Sequence, residues 1–306
     1  MQKILVTGGA GFIGSHTVDA LLKKGCQVRV LDNLSSGKKA NLPEKHPCLE
    51  FVQGDIRDID TVESACKDVE AVLHLAAQVS VQSSIEHPVL SGEINVRGFL
   101  NVMDAARRAG IKRVVYASSA AVYGMPSELP LSESAMTRPM SPYGLEKLIN
   151  DQYAALFGEL YGMNCLGMRY FNVFGPRQDP RSPYAGVISK FNDCARAGSS
   201  LKVFGDGLQT RDFVYVGDVA ASNVAALFSS LPGTCNIGTG RSVTLLQMID
   251  ALSEVVGRTL SVEHLPERSG DIRDSCAVVK RMKGALGVTA QVSLVDGLRR
   301  LWQQAG

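Results

Sequence analysis

The apolar run Lys3-Ile4-Leu5-Val6-Thr7 leads directly into three evenly spaced glycines, Gly8, Gly11 and Gly14, with Phe12-Ile13 opening the next segment. Few local patterns restrict a fold more. A strand that ends in a glycine turn and re-enters as a helix begins a parallel, doubly wound sheet. One glycine permits the tight turn, one lets a ligand approach the backbone, and one lets helix pack on strand. The unpaired N–H groups and positive dipole end of such a helix suit a pyrophosphate. The spacing is Gly-x-x-Gly-x-x-Gly rather than Gly-x-Gly-x-x-Gly. Mere turn punctuation is the plainer explanation for three glycines, and the strand before them and the helix after them outweigh it.

The same alternation continues. Apolar runs at 2–7, 27–32, 49–53, 70–76, 113–118 and 164–170 are separated by amphipathic stretches near 12–24, 59–67, 89–109 and 143–161. This predicts an α/β chain with a Rossmann doubly wound parallel sheet. At 306 residues the chain exceeds what one core usually serves, so a second, smaller α/β domain is expected. Beyond about residue 172, Gly175-Pro176, Asp179-Pro180, Ser182-Pro183 and Gly205-Asp206-Gly207 break the pattern. We therefore expect a dinucleotide domain over 1–171 and an interlaced ligand domain over 172–306, with 212–240 returning to the sheet.

A net charge of +2 with scattered basic residues argues against a nucleic-acid partner. The seven cysteines form no Cys-x-x-Cys pair, which favours reduced thiols and a cytoplasmic protein. No run approaches the ~20 apolar residues of a membrane span, and no leader pattern opens the chain.

Asp32 ends the second run, eighteen residues past Gly14. A carboxylate there accepts hydrogen bonds from both adenosine ribose hydroxyls and repels a 2′-phosphate, so NAD is expected over NADP, with Arg57 and Lys38 as the residues that could reverse the preference. Asp55 and Ile56 are placed to frame the adenine, and Leu75-Ala76-Ala77 to lie beside the cofactor. His74, within an apolar run, reads as a core histidine, and no ligand cluster suggests a metal.

Tyr143 and Lys147 stand at i and i+4, on one side of one helix. A phenol is a poor base at its free pKa of ~10, and a neighbouring ammonium and a nicotinamide ring would both lower it. Ser118 and Ser119 end the fifth strand, at the sheet edge where open α/β folds bind ligands; a serine there can hold a reacting hydroxyl.

Taken with Thr7-Gly8-Gly9-Ala10-Gly11-Phe12-Ile13-Gly14, the segments His74-Leu75-Ala76-Ala77, Ser118-Ser119-Ala120-Ala121-Val122-Tyr123-Gly124, Ser141-Pro142-Tyr143-Gly144, Arg169-Tyr170-Phe171-Asn172 and Arg211-Asp212-Phe213-Val214 resemble the extended short-chain dehydrogenases/reductases. The chain is most similar to their UDP-hexose 4-epimerases. The resemblance implies that Tyr143 takes the sugar 4-hydroxyl proton while hydride passes to NAD. The 4-keto sugar then swings about its phosphate link and regains hydride on its other face. Ser119 would position the 4-oxygen, Ser118 would assist, and Lys147 would hold the ribose. It further places the loop Asn33-Leu34-Ser35-Ser36-Gly37 and Gln78, Asn95, Ala117 and Phe171 along the cofactor. Sister dehydratases carry an acidic pair where this chain has Ala120 and Ala121, which leaves epimerisation.

For the UDP-sugar substrate the resemblance implies Lys202, Val203, Phe204 and Gln209 around the nucleoside and Arg211 and Arg268 on the diphosphate. Asn172, Ser80, Val187 and Asp271 fall near the sugar. Ser275 stands where a bulky tyrosine restricts related epimerases to unsubstituted hexoses, so UDP-N-acetylglucosamine and UDP-N-acetylgalactosamine are the expected pair, with UDP-glucose and UDP-galactose beside them. A UDP-glucuronate 4-epimerase and a non-catalytic NAD-binding sensor are the alternatives, and uridine against thymidine stays open. A homodimer through helices 89–109 and 143–161, with Leu148, Leu156 and Leu160 as candidate contacts, is also expected.

Overall fold

In the computed structural model, residues 2–179, 186–267 and 272–304 are described. The first six strands are β1 (Lys3–Thr7), β2 (Gln27–Asp32), β3 (Leu49–Gln53), β4 (Ala71–His74), β5 (Arg113–Ser119) and β6 (Asn164–Tyr170). A seventh, Gly233–Ile237, lies parallel to β6 with Ile237 opposite Tyr170. The order across the sheet is Gly233–Ile237, β6, β5, β4, β1, β2, β3, and every pairing is parallel. Winding reverses between β1 and β4, and a crevice opens there at the carboxyl ends of the strands.

Local chemistry explains the helices that matter for this crevice. Helix α1 (Phe12–Lys23) starts at Gly11, and no side chain caps it. Helix α2 (Ile59–Ala65) is capped by Asp58, which accepts from the Asp60 N–H. Helices α3 (Val81–Glu86) and α4 (Pro88–Gly92) follow β4, and α5 (Gly98–Arg108) and α6 (Pro142–Tyr161) flank β5. Ser141 caps α6 through the Gly144 N–H at 3.1 Å, Pro142 occupies its first position, and Gly162, at φ 61°, ends it.

Periodicity predicts one uninterrupted helix over 89–109. The chain instead inserts a π-helical turn, Glu93–Arg97, between α4 and α5. Gly98 lets this helix lie close to Ile56: a Cβ there would stand 2.6 Å from Ile56 Cδ1.

Both faces of the sheet are covered. Val6, Val30 and Leu73 belong to one core with α1 and Val216–Leu227, while Leu5, Leu31 and Val72 belong to the other with α2 and α5. A third core, with Phe174, Phe191, Val203 and Met248, belongs to the smaller α/β part of the molecule. There Leu201–Phe204 pairs with Val262–Leu265, Asn172–Phe174 with Phe213–Tyr215, and Thr210–Arg211 with Val243–Thr244. Among the described residues no helix is long and apolar enough to cross a membrane.

Candidate active site

The glycine turn closes on β4. Gly8 has φ 69°, and a Cβ on it would sit 2.6 Å from the Ala76 nitrogen; a Cβ on Gly14 would collide with the Gly8 carbonyl oxygen. Larger residues are excluded, and the amino end of α1 faces the crevice bare of side chains. Asp32 is buried, with Oδ2 accepting from the Ala10 N–H at 2.9 Å and Oδ1 from the Leu34 N–H at 2.8 Å. A carboxylate offers about four lone-pair sites, so two remain for ribose hydroxyls. Leu34 takes φ 60° to deliver that N–H, and Gly37 packs on the same carboxylate. Asn33 turns away, its amide donating to Asp55 Oδ2 at 3.0 Å, while its Oδ1 accepts from the Ser35 N–H. Ser36 follows on the exposed loop.

The two cations that could have welcomed a 2′-phosphate are engaged. Arg57 binds Asp55 through two nitrogens, at 3.0 and 2.7 Å, and holds that carboxyl well below the usual carboxylate range. Lys38 pairs with Asp179 at 3.3 Å. Cradle and carboxylate therefore fit NAD. Ile56 and Phe171 differ from expectation: both side chains are packed in hydrophobic cores. Each would meet a ligand through backbone more than through side chain.

At the end of β4, Thr7 Oγ1 lies 2.7 Å from His74 Nδ1 and accepts from the Ala76 N–H at 3.3 Å. Burial pushes His74 down to about 3, so it is the neutral core histidine expected. Leu75 continues the β-type pairing through its N–H to the Thr7 carbonyl, and Ala77 leads on to Gln78.

The Tyr143 hydroxyl faces the Ser119 side chain, which favours the phenolate, and the Lys147 ammonium lies 5.7 Å from the Tyr143 ring centre. A hydroxyl, a phenol and a buried ammonium thus converge where β5 ends and α6 begins. Their protonation differs from expectation. Burial, together with the Glu146 charge, holds Tyr143 above the ordinary tyrosine value, against the opposing effect of Ser119. Burial pushes Lys147 down to about 8, against the opposing charges of Glu146 and Asp151. The protein by itself keeps the phenol protonated.

Side chains alternate along a strand, which separates the two serines. Ala117 and Ser119 share one face; Ser118 is buried on the face of Tyr116, beside Asp151. Tyr116 donates to Asp151 Oδ1 at 3.0 Å, and Arg169 Nε donates to Oδ2 at 3.0 Å. Ser118 is therefore buried on the opposite face of the strand from Ser119.

Several residues singled out from sequence have structural duties. Ser80 caps α3 through the Ser83 N–H at 2.9 Å. Asn95, aimed inward by the π turn, exchanges two hydrogen bonds with the Gln78 backbone, each 2.9 Å. Glu146, Ser84 and Asp212 were not anticipated. Glu146 is buried and accepts from Asn95 and Ser91. Ser84 accepts the Tyr143 N–H at 3.1 Å. Asp212 is fully buried, with Thr239, Gly240 and Ala277 N–H groups on its carboxylate. Polar residues on the inner side of a helix were the available signal for Glu146.

In the smaller part, Lys202 and Asn172 are exposed, and Phe204, Gln209 and Val187 are half-buried. Val203 is fully buried in the third core and cannot touch a ligand through its side chain, because alternate residues of a strand face opposite ways. Gln209 donates to the Phe204 carbonyl at 2.9 Å, and Arg211 to the Thr210 and Arg273 carbonyls. Ser275, 8% exposed, follows Asp274, which binds Thr210 Oγ1 at 2.7 Å. Arg268 and Asp271 lie outside the described residues. Among the described residues no cluster could hold a metal ion.

The profile of the NAD dependent epimerase/dehydratase family matches residues 4–238. The chain belongs to this family. Within it, a UDP-glucose 4-epimerase of Mycolicibacterium smegmatis is 40% identical over 304 residues, covering 98% of this chain and 97% of the relative. A solved UDP-N-acetylglucosamine 4-epimerase of Methanobrevibacter ruminantium, in complex with UDP-N-acetylmuramic acid, superposes with a TM-score of 0.96 at 39% identity, covering 99% and 98% of the two chains. A Thermus thermophilus UDP-glucose 4-epimerase complexed with NAD gives a TM-score of 0.91 at 39% identity, covering 99% and 98%. Like other members of the family this chain is NAD-dependent, and the glycine turn and Asp32 are the parts that suit that cofactor.

Proposed function

We propose that this chain is an NAD-dependent UDP-sugar 4-epimerase that interconverts UDP-N-acetylglucosamine and UDP-N-acetylgalactosamine and also accepts UDP-glucose and UDP-galactose. The observation that carries the reading is the approach of Ser119 and the buried Lys147 to the Tyr143 phenol. Gly8, Gly11, Gly14 and Asp32 would hold NAD, which when bound supplies a reversible hydride acceptor. Ser119 fixes the 4-oxygen of the sugar, and Tyr143 removes and returns its proton. Lys147, kept as an ammonium by Glu146 and Asp151, opposes the burial that holds the phenol protonated. Ala120 and Ala121 offer no additional acid or base beside this oxygen, so the keto sugar can only be reduced again.

Arg211 sits on the rim of the smaller part, where a guanidinium can take a diphosphate with paired donors. Ser275 is small and hydroxylic where a phenol would crowd an acetamido group. Incubation with UDP-glucose, UDP-N-acetylglucosamine and UDP-glucuronate, followed by separation of epimers, tests the substrate class. Tyr143→Phe is expected to lose at least ~10²-fold in kcat with NAD still bound. Ser275→Tyr is expected to lose the acetylated pair and keep the plain hexoses. Near-normal turnover by the first variant, or unchanged acetylated turnover by the second, refutes the corresponding role. We further propose a homodimer through the helices of 89–109 and 143–161, because Val89 (76% exposed) on α4 and Leu156 (47%) and Leu160 (68%) on α6 present apolar surface.

A further inference from the structure

The first turn of α6 is one end of a closed hydrogen-bond circuit. The Tyr143 N–H donates to Ser84 Oγ of α3 at 3.1 Å. The cap of α3 is Ser80, whose own N–H is bound by the Gln78 side chain. The Gln78 backbone gives its N–H to Asn95 Oδ1 and takes Asn95 Nδ2 on its carbonyl, both at 2.9 Å. Asn95 Nδ2 also donates to Glu146 Oε2 at 2.6 Å, and Ser91 Oγ donates to the same oxygen at 2.8 Å. Glu146 lies three residues beyond Tyr143 and next to Lys147, so the circuit returns to the helix it left. It encloses residues 78–84, the segment that continues from the crevice wall at Ala76 and Ala77.

Glu146 is 5% exposed, and its bonds go to neutral partners. A buried carboxylate that serves only packing is expensive to keep, and a neutral side chain could accept the same two hydrogen bonds. A charge at this depth is weakly screened and acts on both neighbours.

We propose that Glu146 is a positioning residue for the epimerase reaction: through Asn95 it sets the 78–84 segment against the Tyr143 turn, and it places one buried negative charge beside the Tyr143–Lys147 pair. The inference rests on the reading of Tyr143 as the base. The charge favours protonation of both neighbours: at Tyr143 it adds to the effect of burial, and at Lys147 it opposes it. Its removal therefore makes both protons easier to lose.

The test uses the purified protein with its NAD. Glu146→Gln keeps an oxygen for Asn95 and Ser91 and removes the charge; Glu146→Ala removes both. Ionisation of Tyr143 is read by ultraviolet titration of tyrosinate, each protein against its own Tyr143→Phe counterpart, and kcat for UDP-glucose is measured across pH. In the glutamine variant the titration midpoint and the acid limb of kcat are expected to move to lower pH by about half a unit or more, with KM within about twofold of wild type. The alanine variant is expected to lose a further ~10-fold or more in kcat, because the 78–84 segment is no longer held. An unmoved midpoint in the glutamine variant overturns the electrostatic role. Equal kcat in the two variants overturns the positioning role. If the alanine protein does not fold, Asn95→Asp, which sets carboxylate against carboxylate, replaces it: recovery of its kcat on adding Glu146→Gln supports the pair, and no recovery overturns it. Absence of any UDP-sugar turnover in wild type would defeat the functional reading, while the titration, which needs no turnover, still decides what Glu146 does to Tyr143.

Discussion

Burial drives Tyr143, Lys147 and His74 toward their neutral forms, and at His74 the consequence reaches global stability. Its folded-state value of about 3 lies below the ordinary histidine value of 6.5. Between those limits the unfolded chain binds a proton that the folded chain refuses, so stability rises with pH through this window and falls as pH drops below 6.5. From pH 7 to pH 5 the residue accounts for a loss of about 2 kcal/mol. His74→Asn is expected to be less stable at pH 7 and to lose correspondingly less on acidification, as measured by urea unfolding at the two values. An identical pH dependence in the variant would place a protonated histidine in the folded protein. Residue identities at the site were readable where chemistry demands one type: glycine against a carbonyl, aspartate beside two N–H groups, tyrosine and lysine one turn apart. Asp212 was not, because a carboxylate in sequence carries no mark of being buried and satisfied, and Glu146 left only its place on the inner side of a helix as a signal. For Tyr143, likewise, spacing reveals a neighbour's charge and conceals the burial that raises the phenol in the protein by itself.

At the scale of elements, α6 was readable almost to the residue because its ends are written in local chemistry, Ser141-Pro142 at one and Gly162 at the other. The π turn at Glu93–Arg97 was not, since one extra residue in a turn leaves an amphipathic pattern nearly intact. Strand alternation, applied to Ser118 and Val203, would have removed both from the ligand side once the buried face of each strand was known. The helices also bear on assembly. Leu148 packs against the core, whereas Leu156 and Leu160 point outward. Leu156→Glu combined with Leu160→Glu is expected to convert a dimer into monomer by sedimentation, with NAD still bound. A wild-type protein that sediments as a monomer at micromolar concentration would contradict the proposed assembly.

For the molecule as a whole, we propose that cofactor choice is set by groups drawn from β2 and the loops around it. Asp32 would repel a 2′-phosphate, and Arg57 and Lys38 are held by Asp55 and Asp179. NAD at a hundredfold excess over its Kd should stabilise the fold by about 2.7 kcal/mol, visible as a rise in Tm. NADP at the same concentration should leave Tm nearly unchanged; an equal rise would mean that Arg57 abandons Asp55.

The edge strand Gly233–Ile237 has a temporal consequence. Its hydrogen-bonding partner, β6, ends at Tyr170, and more than sixty residues separate the two. A nascent chain that has emerged only as far as β6 carries a long apolar strand with one side unpaired, a template for pairing with other chains. Closure of that side waits until the intervening residues, which include Leu201–Phe204 and Phe213–Tyr215 of the smaller part, have been synthesised and the chain has come back. Pairing across such a span is slow by nature. Biogenesis of this protein is therefore most exposed to aggregation in the interval between the completion of its cofactor crevice and the arrival of the last strand of its main sheet.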